Sequence, residues 1–175
     1  MSLFEKYDGR RAELIKKMQT LNEFEKSDES VGQIFKIARE ILERPGNMVS
    51  VPWLLQNGGK LAAYYGYLAV KGSEAWAEYK MAEVAFKEVR DALMLALKNE
   101  KATVTEAKAS AGRETAYVEV DVISREKRSR DYEAAARWCQ SMLSFIQSTM
   151  RQLESERTHL KIAERGRPHD HQSKT

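Results

Sequence analysis

The sequence predicts an all-α fold: a long antiparallel helical hairpin preceded by a pair of shorter helices. Three observations carry that prediction. Only 9 Gly and 3 Pro interrupt 175 residues. Ala, Glu, Lys, Arg, Leu and Met, all strong helix formers, are abundant. Apolar residues recur at steps of three and four over two long stretches, the repeat of a helix that buries one face.

Residues 2–24 read as a first helix, with Leu3, Tyr7, Leu14, Met18 and Leu21 near helical spacing. The segment NEFEKSDES breaks the pattern. Asp28 or Ser30 can cap a second helix that runs to about Arg44 and carries Val31, Ile34, Ile37, Ala38, Ile41 and Leu42. Pro45-Gly46 stops it. These two short amphipathic helices form a hairpin over 1–45 that must dock on something.

Ser50 precedes Val51-Pro52, and proline is well tolerated in a first helical turn. One long helix is expected from there to about Lys101, eased open at Gly58-Gly59 and Gly72. Its stripe runs Leu61, Tyr64/Tyr65, Leu68, Ala75/Trp76, Tyr79, Ala82, Phe86, Val89, Leu93 and Leu97. Residues 102–113, ATVTEAKASAGR, form a connection in which Thr103 or Thr105 caps a short turn and Gly112 ends it. A second long helix is expected from about Glu114 to Glu164. Its segment YVEVDV alternates with period two, but strong helix formers flank it and no partner strand exists elsewhere. The later stripe is Tyr132, Ala135/Ala136, Cys139, Met142/Leu143, Ile146, Met150, Leu153 and Leu160. The long hairpin thus occupies 50–165, and the polar residues 166–175 are expected to be disordered.

Composition narrows the function classes. The apolar content of 42% is too high for disorder. One cysteine, Cys139, precludes an internal disulfide framework and fits a reducing compartment. No apolar run reaches the roughly 20 residues that span a bilayer, and the N-terminus lacks the apolar stretch of a signal peptide. The expectation is a soluble, cytoplasmic protein without membrane contact. Net charge is only +3, from 29 basic and 26 acidic residues.

No catalytic set is visible, so the chain is expected to bind rather than to catalyse, without cofactor or metal. A Gly-rich phosphate loop followed by Lys-Ser/Thr is missing. His169 and His171 lie in the tail, where any metal binding would be adventitious, and His159 sits late in the last helix. Cys139 falls on the apolar stripe and reads as a small core residue.

The densest charge cluster is Arg125, Glu126, Lys127, Arg128, Ser129 and Arg130. Stepping back from Tyr132 by three and four places Arg125 and Arg128 on the stripe that is apolar further along. A charge on a seam must be met by something. The candidates are acidic partners in the hairpin, a subunit boundary, or phosphate, which suits the planar fork of Arg. The plainer reading is a solvated face with local salt bridges to Glu126 and Asp131. Lys98, Lys101, Lys108 and Arg113 surround the connection, and antiparallel helices would bring them towards Arg125–Arg130. The aromatic group Trp53, Tyr64, Tyr65, Tyr67, Trp76 and Tyr79 is large for a two-helix seam. Either self-association or the N-terminal hairpin would cover it.

The helix end KEVRDALMLALKNEK, the connection TVTEAKAS with Thr105-Glu106, and the run YEAAARWCQSMLSFIQSTMRQLESER together make residues 57–163 resemble the UvsY-like phage recombination mediator family. Residues 1–50 are not part of that resemblance. It implies a homo-oligomer, in ring form, that binds single-stranded DNA without sequence preference. It also implies help to a RecA-type recombinase in replacing single-strand binding protein, in the host cytoplasm, without ATP hydrolysis or DNA cleavage. Lys87, Arg90, Lys98 and Lys101 occupy terrain comparable to the family's basic helix end. The near balance of acidic and basic residues departs from a strong polyanion binder. Two alternatives stand beside this reading. One is a helical assembly or adaptor protein without a DNA role. The other is a sequence-specific reader with a helix-turn-helix around 103–130, which lacks the compact three-helix core such readers need.

Overall fold

The computed structural model describes residues 3–44, 48–100 and 103–165, which form six helices and no strand. The all-α prediction holds. Helix α1 spans Leu3–Gln19, α2 Asn22–Ser27, α3 Glu29–Glu43, α4 Val51–Asn99, α5 Val104–Glu114 and α6 Ala116–Arg165.

The first expected helix is in fact two. The Thr20 hydroxyl donates to the Lys17 carbonyl at 2.7 Å and the Leu21 amide to the Met18 carbonyl at 3.0 Å. Such i to i−3 bonds tighten and end a helix. Leu21 and Phe24 are buried, which holds the corner in place. Of the two expected caps for α3, Asp28 serves. Its Oδ1 accepts from the Ser30 amide at 2.9 Å and the Val31 amide at 3.4 Å. Pro45 and Gly46 lie outside the described residues, as do Lys101, His169 and His171.

Helix α4 is continuous, so its glycines do not open it. Two of them are seats instead. A Cβ at Gly58 would lie 3.4 Å from Ile146 Cγ2, and one at Gly72 would lie 3.6 Å from Tyr132 Cβ. The expected connection is largely a helix. Thr103 and Glu106 form a capping box that starts α5, and Gly112 sits inside it. Thr115 ends α5, with its amide and hydroxyl both donating to the Ala111 carbonyl, at 3.0 and 2.8 Å. The YVEVDV segment is helical, in the first turns of α6.

The chain divides into two compact units, residues 1–64 with 138–175, and residues 65–137, a division that does not follow 1–45 and 50–165. In the first unit, Trp138 is the junction. Its indole N–H donates to the Leu14 carbonyl at 3.1 Å, and its ring meets Phe35 edge-on at 4.9 Å and 86°. One side chain of α6 thereby ties α1 and α3, the docking that the two short helices required. The α3 residues Val31, Ile34, Phe35, Ala38, Ile41 and Leu42 are all at most 1% exposed. From α4 come buried Leu54 and Leu61, and from α6 Cys139, Met142, Phe145 and Ile146. Cys139 Sγ lies 3.5 Å from the Leu61 carbonyl.

The second unit has a thin interior. Its buried apolar residues among those described are Leu68, Ala75, Ala107, Ala111, Tyr132 and Ala135, four of them alanine. The expected α4 stripe is real but sinks only halfway here: Tyr79, Ala82, Phe86, Leu93 and Leu97 are half-buried, and Trp76 and Val89 are exposed. On α6, Leu160 is exposed rather than part of the core stripe. No described helix is long and apolar enough to cross a membrane.

Two predictions follow from the first unit. Phe35→Ala removes a side chain that is 0% exposed and should cost about 3–5 kcal/mol in urea unfolding. Leu160→Ala, at a site 66% exposed, should stay within about 0.5 kcal/mol. Equal effects would contradict this distribution of the core. Burial pushes the Cys139 thiol up to about 12. Cys139 should therefore resist thiol reagents at pH 8 in the native protein and react in urea. Between the ordinary thiol value of 9.0 and about 12 the unfolded chain releases this proton while the native chain keeps it, so stability should fall as pH rises through that window.

Candidate nucleic-acid interface

The basic residues singled out in the sequence fall into two groups, both within residues 65–137. The first follows α4 and α5. Lys87 is exposed on α4, and Arg90 is half-buried with its guanidinium 5.4 Å from the Phe86 ring centre. Lys98 is exposed in the last turn of α4, where a cation complements the helix carbonyl end. Lys108 is exposed on α5, opposite in kind to the buried Ala107 and Ala111. Arg113, in the last turn of α5, donates to the Ser110 hydroxyl at 3.4 Å. Among the described residues, Lys98 and Lys108 form no ion pair.

Glu106, which lies in this group and carries part of the family resemblance, has a structural task. Its carboxylate accepts from the Thr103 amide at 3.0 Å and the Thr103 hydroxyl at 2.7 Å. The Thr103 hydroxyl, and then its amide, hold this carboxyl below the usual carboxylate range.

The second group, on α6, is compensated. Arg125 donates to Asp121 at 2.8 Å and lies 3.8 Å from Glu78. The Asp121 hydrogen bond, reinforced by Asp121 and Glu78 charge, raises the Arg125 proton affinity above its ordinary value. Arg128 is 4.0 Å from the same Glu78 carboxylate, with its guanidinium 5.8 Å from the Tyr132 ring centre. Arg130 pairs with Glu126 one turn back. Lys127 is exposed on the same helix. Of the three answers the sequence left open for Arg125 and Arg128, the structure supplies the first, an acidic partner on the other long helix.

That partner also fixes where the second group sits. Glu78 precedes Lys98 by 20 residues on one continuous helix, which is about 30 Å at 1.5 Å per residue. The expected gathering of Lys98 with Arg125 and Arg128 is therefore corrected: Lys98 lies that far along α4 from their Glu78 partner, while Lys87 and Arg90 of the first group are only 9 and 12 residues from it. The reason is register. Gly72 faces Tyr132, so a run three to seven residues before Tyr132 meets the α4 turn of Glu78 and not the α4 end. Glu78 was the residue that sequence reasoning missed. The register of Gly72 against Tyr132 is the signal that locates it.

Between the paired arginines and the unit boundary lies a groove of about 700 Å³, lined by Leu68, Gly72 and Trp76 of α4 and by Ser129, Tyr132 and Glu133 of α6. Of the three tryptophans, Trp138 is buried, and Trp53 is half-buried beneath the Arg44 guanidinium at 4.3 Å. Trp76, 56% exposed, alone keeps a face large enough to stack on a base.

The described residues contain no group of three or more His, Cys, Asp or Glu able to hold a metal ion. His159 is an exposed residue of α6, and Cys139 is buried. No protein-family model, curated protein or solved structure matches the chain.

Proposed function

We propose that this protein acts by binding: it assembles through residues 65–137 into a helical homo-oligomer that holds single-stranded DNA without sequence preference. In the manner of the mediators it resembles, it would assist a RecA-type recombinase in displacing single-strand binding protein. The observation that carries the assembly half is the distribution of apolar surface. Of fourteen exposed large hydrophobic residues among those described, ten lie in 65–137, which contributes only six of the twenty-three buried ones. Large apolar side chains left in water in such number favour a surface that another protein covers.

The DNA half rests on the resemblance and on Lys98, Lys108 and Arg113, whose charges meet no carboxylate among the described residues. Several copies of a weak cationic site bind one strand far better than one copy does, because later contacts form at high effective concentration. The pairing of Arg125, Arg128 and Arg130 with carboxylates favours the second reading, an assembly or adaptor protein with no DNA role.

Oligo-dT binding measured against salt separates the two. On the proposed reading, affinity falls steeply from low to physiological salt. Lys98→Glu with Lys108→Glu weakens low-salt binding at least about tenfold and lowers the salt slope by about two. The same reversal at Arg125 and Arg130 should do less, since each already has a carboxylate partner. No oligonucleotide binding by the wild-type chain at low salt leaves the adaptor reading standing.

A further inference from the structure

Helix α4 is apolar on two opposite sides in its second half. One side is the half-buried stripe through Leu68, Ala75, Tyr79, Phe86, Leu93 and Leu97. The other is wholly exposed. Val70, Met81, Val84 and Leu95 are between 56% and 73% exposed. They share one helix face, because separations of 11 and 14 residues bring side chains back to nearly the same angle. The positions between them on that face, Ser73, Ala77 and Ala92, are small and also exposed. Only Glu88 carries a charge. The steps along the face are 3, 4, 4, 3, 4, 4 and 3, an 11-residue repeat of the kind by which long helices pack side by side with a right-handed supercoil.

We infer that this face of α4 is the seat of a second copy of the same chain, paired stripe to stripe; the inference rests on the assembly reading above and assigns it a surface. Length selects the occupant. The stripe runs from Val70 to Leu95, 25 residues or about 38 Å, so its partner must offer a helix face equally long and apolar. The other exposed apolar cluster of this unit, Tyr117, Val120 and Ile123, covers about 9 Å of α6. The α4 stripe of another copy is the match in length and repeat. Area agrees. At about 100 Å² for each large side chain and about half that for each small one, the stripe offers roughly 600 Å² per copy, or about 1,200 Å² for the pair, the lower bound of a standard interface. Pairing like with like makes the contact isologous and closed.

Sedimentation velocity of the full chain tests the assignment. The wild type should sediment as a dimer or a larger assembly at micromolar concentration. Met81→Lys with Val84→Lys should raise the dissociation constant at least about 100-fold, since each would bury an unpaired ammonium. Ser73→Arg, a single change at an exposed small seat, should act in the same direction and guards against misfolding of the double variant. Far-UV circular dichroism should show wild-type helix content in both. Val120→Lys with Ile123→Lys, on α6, should leave the assembly intact. An assembled wild type whose stripe variants stay assembled overturns this inference alone. A wild type that is monomeric throughout overturns the assembly reading as well.

Discussion

A helix that packs on one side can bury only one of its faces, and in its second half α4 leaves Val70, Met81, Val84 and Leu95 exposed. In the first unit the problem does not arise. There α3 lays a fully buried face against the core, and Trp138 of α6 reaches both Phe35 and the Leu14 carbonyl. Leu54, Leu61, Met142 and Phe145 are all at most 2% exposed there. Within 65–137 the interior is mostly alanine, and the large side chains remain outside. Apolar surface left in water costs about 25 cal/mol per Å² relative to burial. A monomer carrying ten such side chains forgoes several kcal/mol that association would recover, which is why the assembly reading follows from the packing rather than from any motif.

Charge is arranged by the same two-helix geometry. The register that sets Tyr132 against Gly72 sets Arg125 and Arg128 against Glu78. Those guanidinium groups are solvent-accessible, and their pairs are of the exposed kind that salt weakens. Cations left without carboxylates lie elsewhere, along the end of α4 and on α5, where Glu106 is already committed to capping. A polyanion reaching this unit would meet Lys98, Lys108 and Arg113 without displacing an acidic side chain.

Much of the fold was legible because it depends on periodicity. The long stripes of α4 and α6, the Asp28 cap and the helical state of YVEVDV all follow from local rules that tertiary contacts did not override. The misses share one physical cause, which is that pairing between helices is not written in any single helix. Glycines at 58 and 72 read as weak points, yet they are close-packed against Ile146 and Tyr132. Trp138 lay off the expected stripe and proved to be the junction of three helices. The capping box at Thr103 was half visible, since Thr103 was a named cap, but the full turn count of α5 was not. The candidate site was legible as a set of residues and illegible as an arrangement, because a shift of 20 residues along α4 separates the expected meeting point from the actual one.

Residues 65–137 leave large apolar side chains exposed, and copies of the same chain are the occupant proposed for them. Native mass measurement of the full chain across a concentration series tests this most directly. Self-association should give species at multiples of 20.1 kDa that persist on dilution into the low micromolar range. A single species at 20.1 kDa at every concentration, with or without a single-stranded oligonucleotide, contradicts it.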